Sequence, residues 1–169
     1  MYEETSFRWS GKNGLRIRVG VEPSYTHANV CRFVVDPAVY PGGALHVPAS
    51  DTKGYSPLAK RLLDLGGINE VLIAGDTVTV TTETLLDWEE LAPRVAEAIR
   101  DQIDSDVPSV YSKHAETLPS SDVIREKVRT LIDTAINPAI AGHGGSVTLT
   151  DVQGNNIYLE FGGGCQGCG

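Results

Sequence analysis

Long apolar runs are missing from this sequence. None approaches the roughly 20 residues a membrane helix needs, so neither a spanning segment nor a membrane partner is expected. Positive charge is also short, with 14 Lys and Arg against 22 Asp and Glu and a formal net charge of −8. Such a surface repels phosphate backbones and anionic lipid. It argues against nucleic acid as a partner and favours a cationic patch on another protein. Cysteine is scarce and odd in number at 3, where a disulfide scaffold would carry a denser, even set. The opening residues Met1 to Thr5 are acidic and lead into no apolar stretch, so no secretory signal or basic transit peptide is expected. The default compartment is then the cytoplasm.

What remains is an ordinary globular composition. A hydrophobic fraction of 41% in 169 residues supports a packed core, as one domain or two small ones. Leu15, Ile17, Val19 and Val21 alternate with Arg16, Arg18 and Gly20, which predicts a half-buried strand. Val30 to Val35 reads as a second strand, with Cys31 as a small core residue within it. Residues 36–55 are rich in Pro, Gly, Asp and Ser and read as a long loop of the kind used in recognition. Ser56-Pro57 opens a helix with its apolar stripe at Leu58, Leu62 and Leu65, closed by Gly66-Gly67. Ile68 to Ile73 and the Val78, Val80 segment read as strands around a turn at Gly75-Asp76. A helix capped by Asp87, with Glu90 placed to reach back, carries Trp88, Leu91, Val95, Ala98 and Ile99 on one face.

The stretch from Asp104 to Asp122 is rich in Asp, Ser and Pro and reads as a linker. The expected organisation is a first α+β domain over 1–105, a linker over 106–121 and a second domain over 122–169, each a small α/β sandwich. In the second, Ile124, Val128, Leu131, Ile132, Ala135 and Ile136 mark a helix face that Asn137-Pro138 is expected to end. Val147 and Leu149, then Ile157, Leu159 and Phe161, alternate as the two strands of a hairpin joined through Gly154-Asn155-Asn156. Gly162-Gly163-Gly164 leads straight into Cys165-Gln166-Gly167-Cys168-Gly169.

Two residues between cysteines let both sulfurs turn toward one ion or cluster. The surrounding glycines allow left-handed backbone angles and bare N–H groups that can bond to sulfur. The common iron–sulfur clusters take four thiolates, and this chain offers Cys165 and Cys168 at one place, with Cys31 in the other expected domain. Two copies facing each other across a two-fold axis would complete the set. A zinc-stabilised interaction module could use the same half-site, with His143 as a conceivable third ligand. A thiol–disulfide oxidoreductase is the other alternative, although its CxxC normally opens a helix.

The stretch from Val128 to Cys168 resembles the NifU C-terminal domain shared by Nfu-type iron–sulfur carriers. The resemblance rests on Leu131-Ile132, Ile136-Asn137-Pro138, His143-Gly144-Gly145, Val147, Leu149, Asp151-Val152, Ile157-Tyr158-Leu159 and the CxxC after its glycine run. The first domain resembles the Nfu N-terminal domain at Asn29 to Phe33, Ser56-Pro57-Leu58-Ala59 and Asp87-Trp88. The resemblance implies a carrier without enzymatic activity. Such a carrier binds a [4Fe-4S] cluster across a homodimer through Cys165 and Cys168. It works with cluster-assembly scaffold proteins and delivers the cluster to apo-proteins. Family members usually continue past the second cysteine into a further helix. The second domain therefore reads as shortened to a helix, a hairpin and a CxxC loop.

Overall fold

The structure, a computed structural model, describes residues 5–154 and 156–164. It divides into two compact units, Met1–Glu116 and Thr117–Gly169.

The first unit is built in chain order from β1 (Thr5–Ser10), β2 (Arg16–Pro23), β3 (Val30–Asp36), β4 (Tyr40–Pro48), α1 (Pro57–Leu63), β5 (Ile68–Gly75), β6 (Thr77–Thr82) and α2 (Trp88–Ile103). The strands form one sheet in the order β1-β2-β3-β6-β5-β4. Every neighbouring pair is antiparallel. The period-two pattern decides which face is covered. Ile17, Val19 and Val21 of β2, Cys31, Phe33 and Val35 of β3, and Val78 and Val80 of β6 are all buried. Leu58, Ala59 and Leu62 of α1 and Leu91, Val95 and Ile99 of α2 join the same core. Each large aliphatic side chain buried there contributes about 1.5–3 kcal/mol. Ser56 and Asp87 cap the two helices as expected, while no bond from Glu90 back to the cap appears among the described residues. Ser56 Oγ accepts from the Ala59 amide at 2.9 Å, and the Asp87 carboxylate accepts from the Glu89 amide at 2.8 Å.

The first unit departs from expectation in several places. The long loop over 36–55 contains β4, in which Leu45 and Val47 lie in register with Ile73 and Val71 and turn their side chains into the core. Its prolines and glycines mark an edge strand with a bulge between Tyr40 and Ala44, where Gly42 takes φ +72°. The N-terminal segment adds an edge strand of its own, β1, whose Phe7 and Trp9 pack on the core. The stretch from 106 to 116, expected as part of the linker, packs on the first unit. Val110 and His114 are buried. Ser56 Oγ donates to the Ser109 carbonyl at 2.7 Å, and the Tyr111 amide donates to the Tyr55 carbonyl at 2.8 Å. A polar composition conceals this docking because the bonds run to residues more than 50 positions earlier.

The second unit runs α3 (Ser121–Leu131), a π-helical turn (Ile132–Ile136), α4 (Asn137–Ile140), a 3₁₀ turn (Ala141–His143), β7 (Gly145–Gln153) and β8 (Asn156–Gly163). β7 and β8 pair as an antiparallel hairpin with a bulge between Leu149 and Asp151. Asn137-Pro138 does not end the helix as expected, since Ile136 and Asn137 both keep right-handed helical angles. The π turn widens the helix just ahead of Pro138, which gives the ring room and absorbs the bond its nitrogen cannot donate. Ile132, Val147, Leu149 and Val152 form a small core, with Ile124, Val128, Ile136, Ile140 and Leu159 packed around it. The architecture is α+β in both units.

Candidate metal centre

The approach to the CxxC is fixed by two glycine words that meet. The 3₁₀ turn after α4 ends at Gly144, whose φ of +69° turns the chain into β7. At the other end of the hairpin, Gly163 takes φ +60°. The Gly164 amide donates to the Gly144 carbonyl at 2.8 Å. A Cβ on Gly163 would fall 2.1 Å from the Gly144 carbonyl oxygen, and one on Gly164 would fall 2.1 Å from that of His143. Backbone lies directly on backbone here, and no side chain could rotate away to make room. The glycine run is thus a close-packed buttress that sets where the chain enters the cysteine loop.

The turn is itself anchored. Asn137 Nδ2 donates to the Val147 carbonyl at 3.0 Å, and Asn137 Oδ1 accepts from the Val147 amide at 2.8 Å. The side-chain amide acts as a short strand partner to β7 and ties the helix end to the first turn of the hairpin. At the far end of the hairpin, Asp151 is held by Gln153, the Val152 amide and Arg125. The Gln153 bond, then the Val152 bond and Arg125, keep its carboxyl below the usual carboxylate range. On β8, Phe161 is 53% exposed and Ile157 is 43% exposed. Of the two, Phe161 is near the loop and Ile157 is at the far end of the hairpin.

Cys165 and Cys168, the expected ligands, lie outside the described residues. Cys31 is fully buried in β3, where loss of hydration pushes its thiol up to about 12. Its expected role as a core residue holds. His143 is exposed in the 3₁₀ turn, and its carbonyl abuts Gly164. Among the described residues no three His, Cys, Asp or Glu side chains converge as a metal site. Also among them, no helix is long and apolar enough to cross a membrane. The clasp from Asn137 and the Gly163–Gly144 contact were not anticipated from sequence. The signals were the two glycine words themselves, which flank the hairpin symmetrically.

The class is that of a two-unit α+β protein whose second unit leads through a glycine buttress toward the CxxC of the sequence. Residues 25–106 match the family described as the scaffold protein Nfu/NifU N-terminal domain, and residues 128–169 match the NifU-like domain. The chain belongs to this Nfu/NifU family of iron–sulfur cluster scaffold proteins. The human protein named NFU1 iron-sulfur cluster scaffold homolog, mitochondrial, is 28% identical over 148 residues, covering 83% of this chain and 57% of the relative. The protein of the same name from Drosophila virilis is 27% identical over 131 residues, covering 75% of this chain and 44% of the relative. The chain thus spans about half the length of the curated relatives it matches. The solution structure of a NifU-like protein from Saccharomyces cerevisiae is similar at a TM-score of 0.45 and 16% identity, covering 65% of this chain and 86% of that one.

Proposed function

We propose that this chain takes up a [4Fe-4S] cluster as cargo on Cys165 and Cys168, shares it with a second copy of itself, and releases it to apo-proteins. It does so as a carrier and not as an enzyme. The observation that carries the reading is the glycine buttress. Gly163 and Gly164 press on Gly144 and His143 immediately before the first cysteine, so the backbone is fixed up to Gly164. A fixed base supports the reading that the two thiolates following it present a cargo. The donor set fits a cluster. Thiolates are its usual ligands, and bare glycine N–H groups can offset its negative charge.

Ligand counting supports the dimer. Each chain brings two thiolates in the CxxC, and the third cysteine is sealed in the sheet of the first unit. Four thiolates then require two chains. The exposed Phe161, four residues before Cys165, adds apolar area on the strand that leads into the loop. Delivery is ligand exchange, in which acceptor thiolates replace Cys165 and Cys168 one at a time while the cluster stays intact. Cluster-assembly scaffold proteins are the source. Thiolates persist in a reducing compartment. Both the cytoplasm and the mitochondrial location in the relatives' names meet that requirement, and cell fractionation decides between them.

Anaerobic reconstitution with iron and sulfide tests the reading. Expected are visible charge-transfer absorption, one four-iron cluster per two chains by native mass, and activation of an apo-enzyme that needs such a cluster. Cys165→Ala abolishes all three. A colourless protein that copurifies with zinc, or one that reduces disulfides with no metal present, overturns the proposal.

A further inference from the structure

The outer face of the sheet in the first unit carries a charge arrangement that the cargo chemistry does not use. Arg8 of β1 stands directly opposite Arg18 of β2, and Arg16 stands opposite Ser10. All three arginines are exposed. Like charges directly opposite each other on neighbouring strands are destabilising. None of the three guanidiniums has an ion pair or hydrogen bond among the described residues. The nearby acid Glu22 is already engaged by Arg32, whose Nε donates to it at 2.7 Å. Arg8, Arg16 and Arg18, with Asp36, line an open groove of about 610 Å³. Asp36 of β3 stands opposite Arg18 on its other side, so among the described lining residues three arginines face one carboxylate, a local excess of positive charge in a chain of net charge −8.

We propose that this groove docks an extended acidic segment of a partner protein, whose carboxylates are taken by Arg8, Arg16 and Arg18. The spacing supports an extended segment. Arg16 and Arg18 are two residues apart on one strand and so repeat about every 6.7 Å, which is also the repeat of alternate side chains in an extended peptide. Guanidinium is suited to carboxylate because its planar fork makes two parallel bonds. A nucleic acid is disfavoured by the acidity of the whole chain. The groove is lined by residues of the first unit alone, and its test needs no cluster.

The test is calorimetric titration of the full chain, free of cluster, with a peptide alternating Glu and Ser, set against a Gln/Ser control. The Glu peptide is expected to bind and the control is not. Binding weakens with added salt. The double variant Arg8→Gln, Arg18→Gln is expected to lose about tenfold in affinity while its melting temperature holds, because the Arg8–Arg18 repulsion removed offsets the Arg18–Asp36 attraction lost. Unchanged affinity in the variant, equal binding of the control, or a fall in melting temperature that accounts for the loss overturns the proposal. So does tighter binding of a single-stranded oligonucleotide than of the peptide. A gain in peptide affinity on Glu3→Gln, Glu4→Gln would show the chain's own acidic N-terminus to be the occupant, and that also overturns it.

Discussion

The Gly164 amide donates to the Gly144 carbonyl at 2.8 Å, so the last step before the cysteine loop is bonded to the turn that begins the hairpin. These residues are 20 positions apart in sequence. Their contact closes the hairpin at its open end and gives the loop a fixed base.

Substitution at Gly163 tests that base. Gly163→Ala adds a Cβ 2.1 Å from the Gly144 carbonyl oxygen and forces φ +60° on a residue that resists it. A destabilisation of about 1–3 kcal/mol in the second unit is expected. It should appear in amide exchange of β7 and β8, with a lower yield of reconstituted cluster. Unchanged exchange in Gly163→Ala would mean the contact does not hold the loop.

Asn137 makes two bonds to Val147, and losing both strands two backbone groups. Asn137→Ala is expected to cost about 1–3 kcal/mol. Asn137→Asp keeps the acceptor for the Val147 amide but turns an oxygen toward its carbonyl. It is therefore expected to recover part of that loss at low pH, where the carboxyl is protonated, and little of it at neutral pH. Chemical denaturation of the two variants across pH checks the difference.

Cys31 offers a negative control. With its thiol pushed up to about 12 and fully buried, it should resist iodoacetamide in the folded chain and react on unfolding. Cys31→Val is expected to bind the same amount of iron as the parent chain. Peptide mapping after alkylation, together with iron analysis, tests both statements.

His114 makes the first unit sensitive to pH. It is buried beside Tyr40 and Tyr55, and Tyr40 Oη lies 3.0 Å from its Nδ1. Burial, and then the nearby Lys53, lower its pKa from the ordinary 6.5. The folded state therefore binds fewer protons than the unfolded state at pH values just under 6.5. Stability is full above 6.5 and is lost as pH falls through the interval down to the folded pKa. The melting temperature of the first unit should decline there, and His114→Gln should flatten the decline.

Some of these features were legible in the residues and some were not. Ile17, Val19 and Val21 announced β2 by alternation, and Ser56 and Asp87 announced α1 and α2 as caps, because both signals are local. Leu45 and Val47 carried the same alternation in β4. It was obscured by the prolines and glycines that an edge strand with a bulge tolerates. His114 looked like part of a linker because its partners, Tyr40 and Tyr55, lie some 60 to 75 residues away. The helix past Pro138 was hidden for another reason. A π turn makes room for proline, and no residue type marks one in advance.

By itself the sequence determined the strand and helix periods, the α+β plan, and a CxxC pair with a third cysteine far from it in the chain. Those follow from residue type and spacing, which act within a few residues. Tertiary structure decided which carbonyls meet Gly163 and Gly164, that Cys31 is sealed, and that Arg8 faces Arg18. These depend on the register of strands brought together by burial of their apolar faces, a property of the whole fold rather than of any short segment.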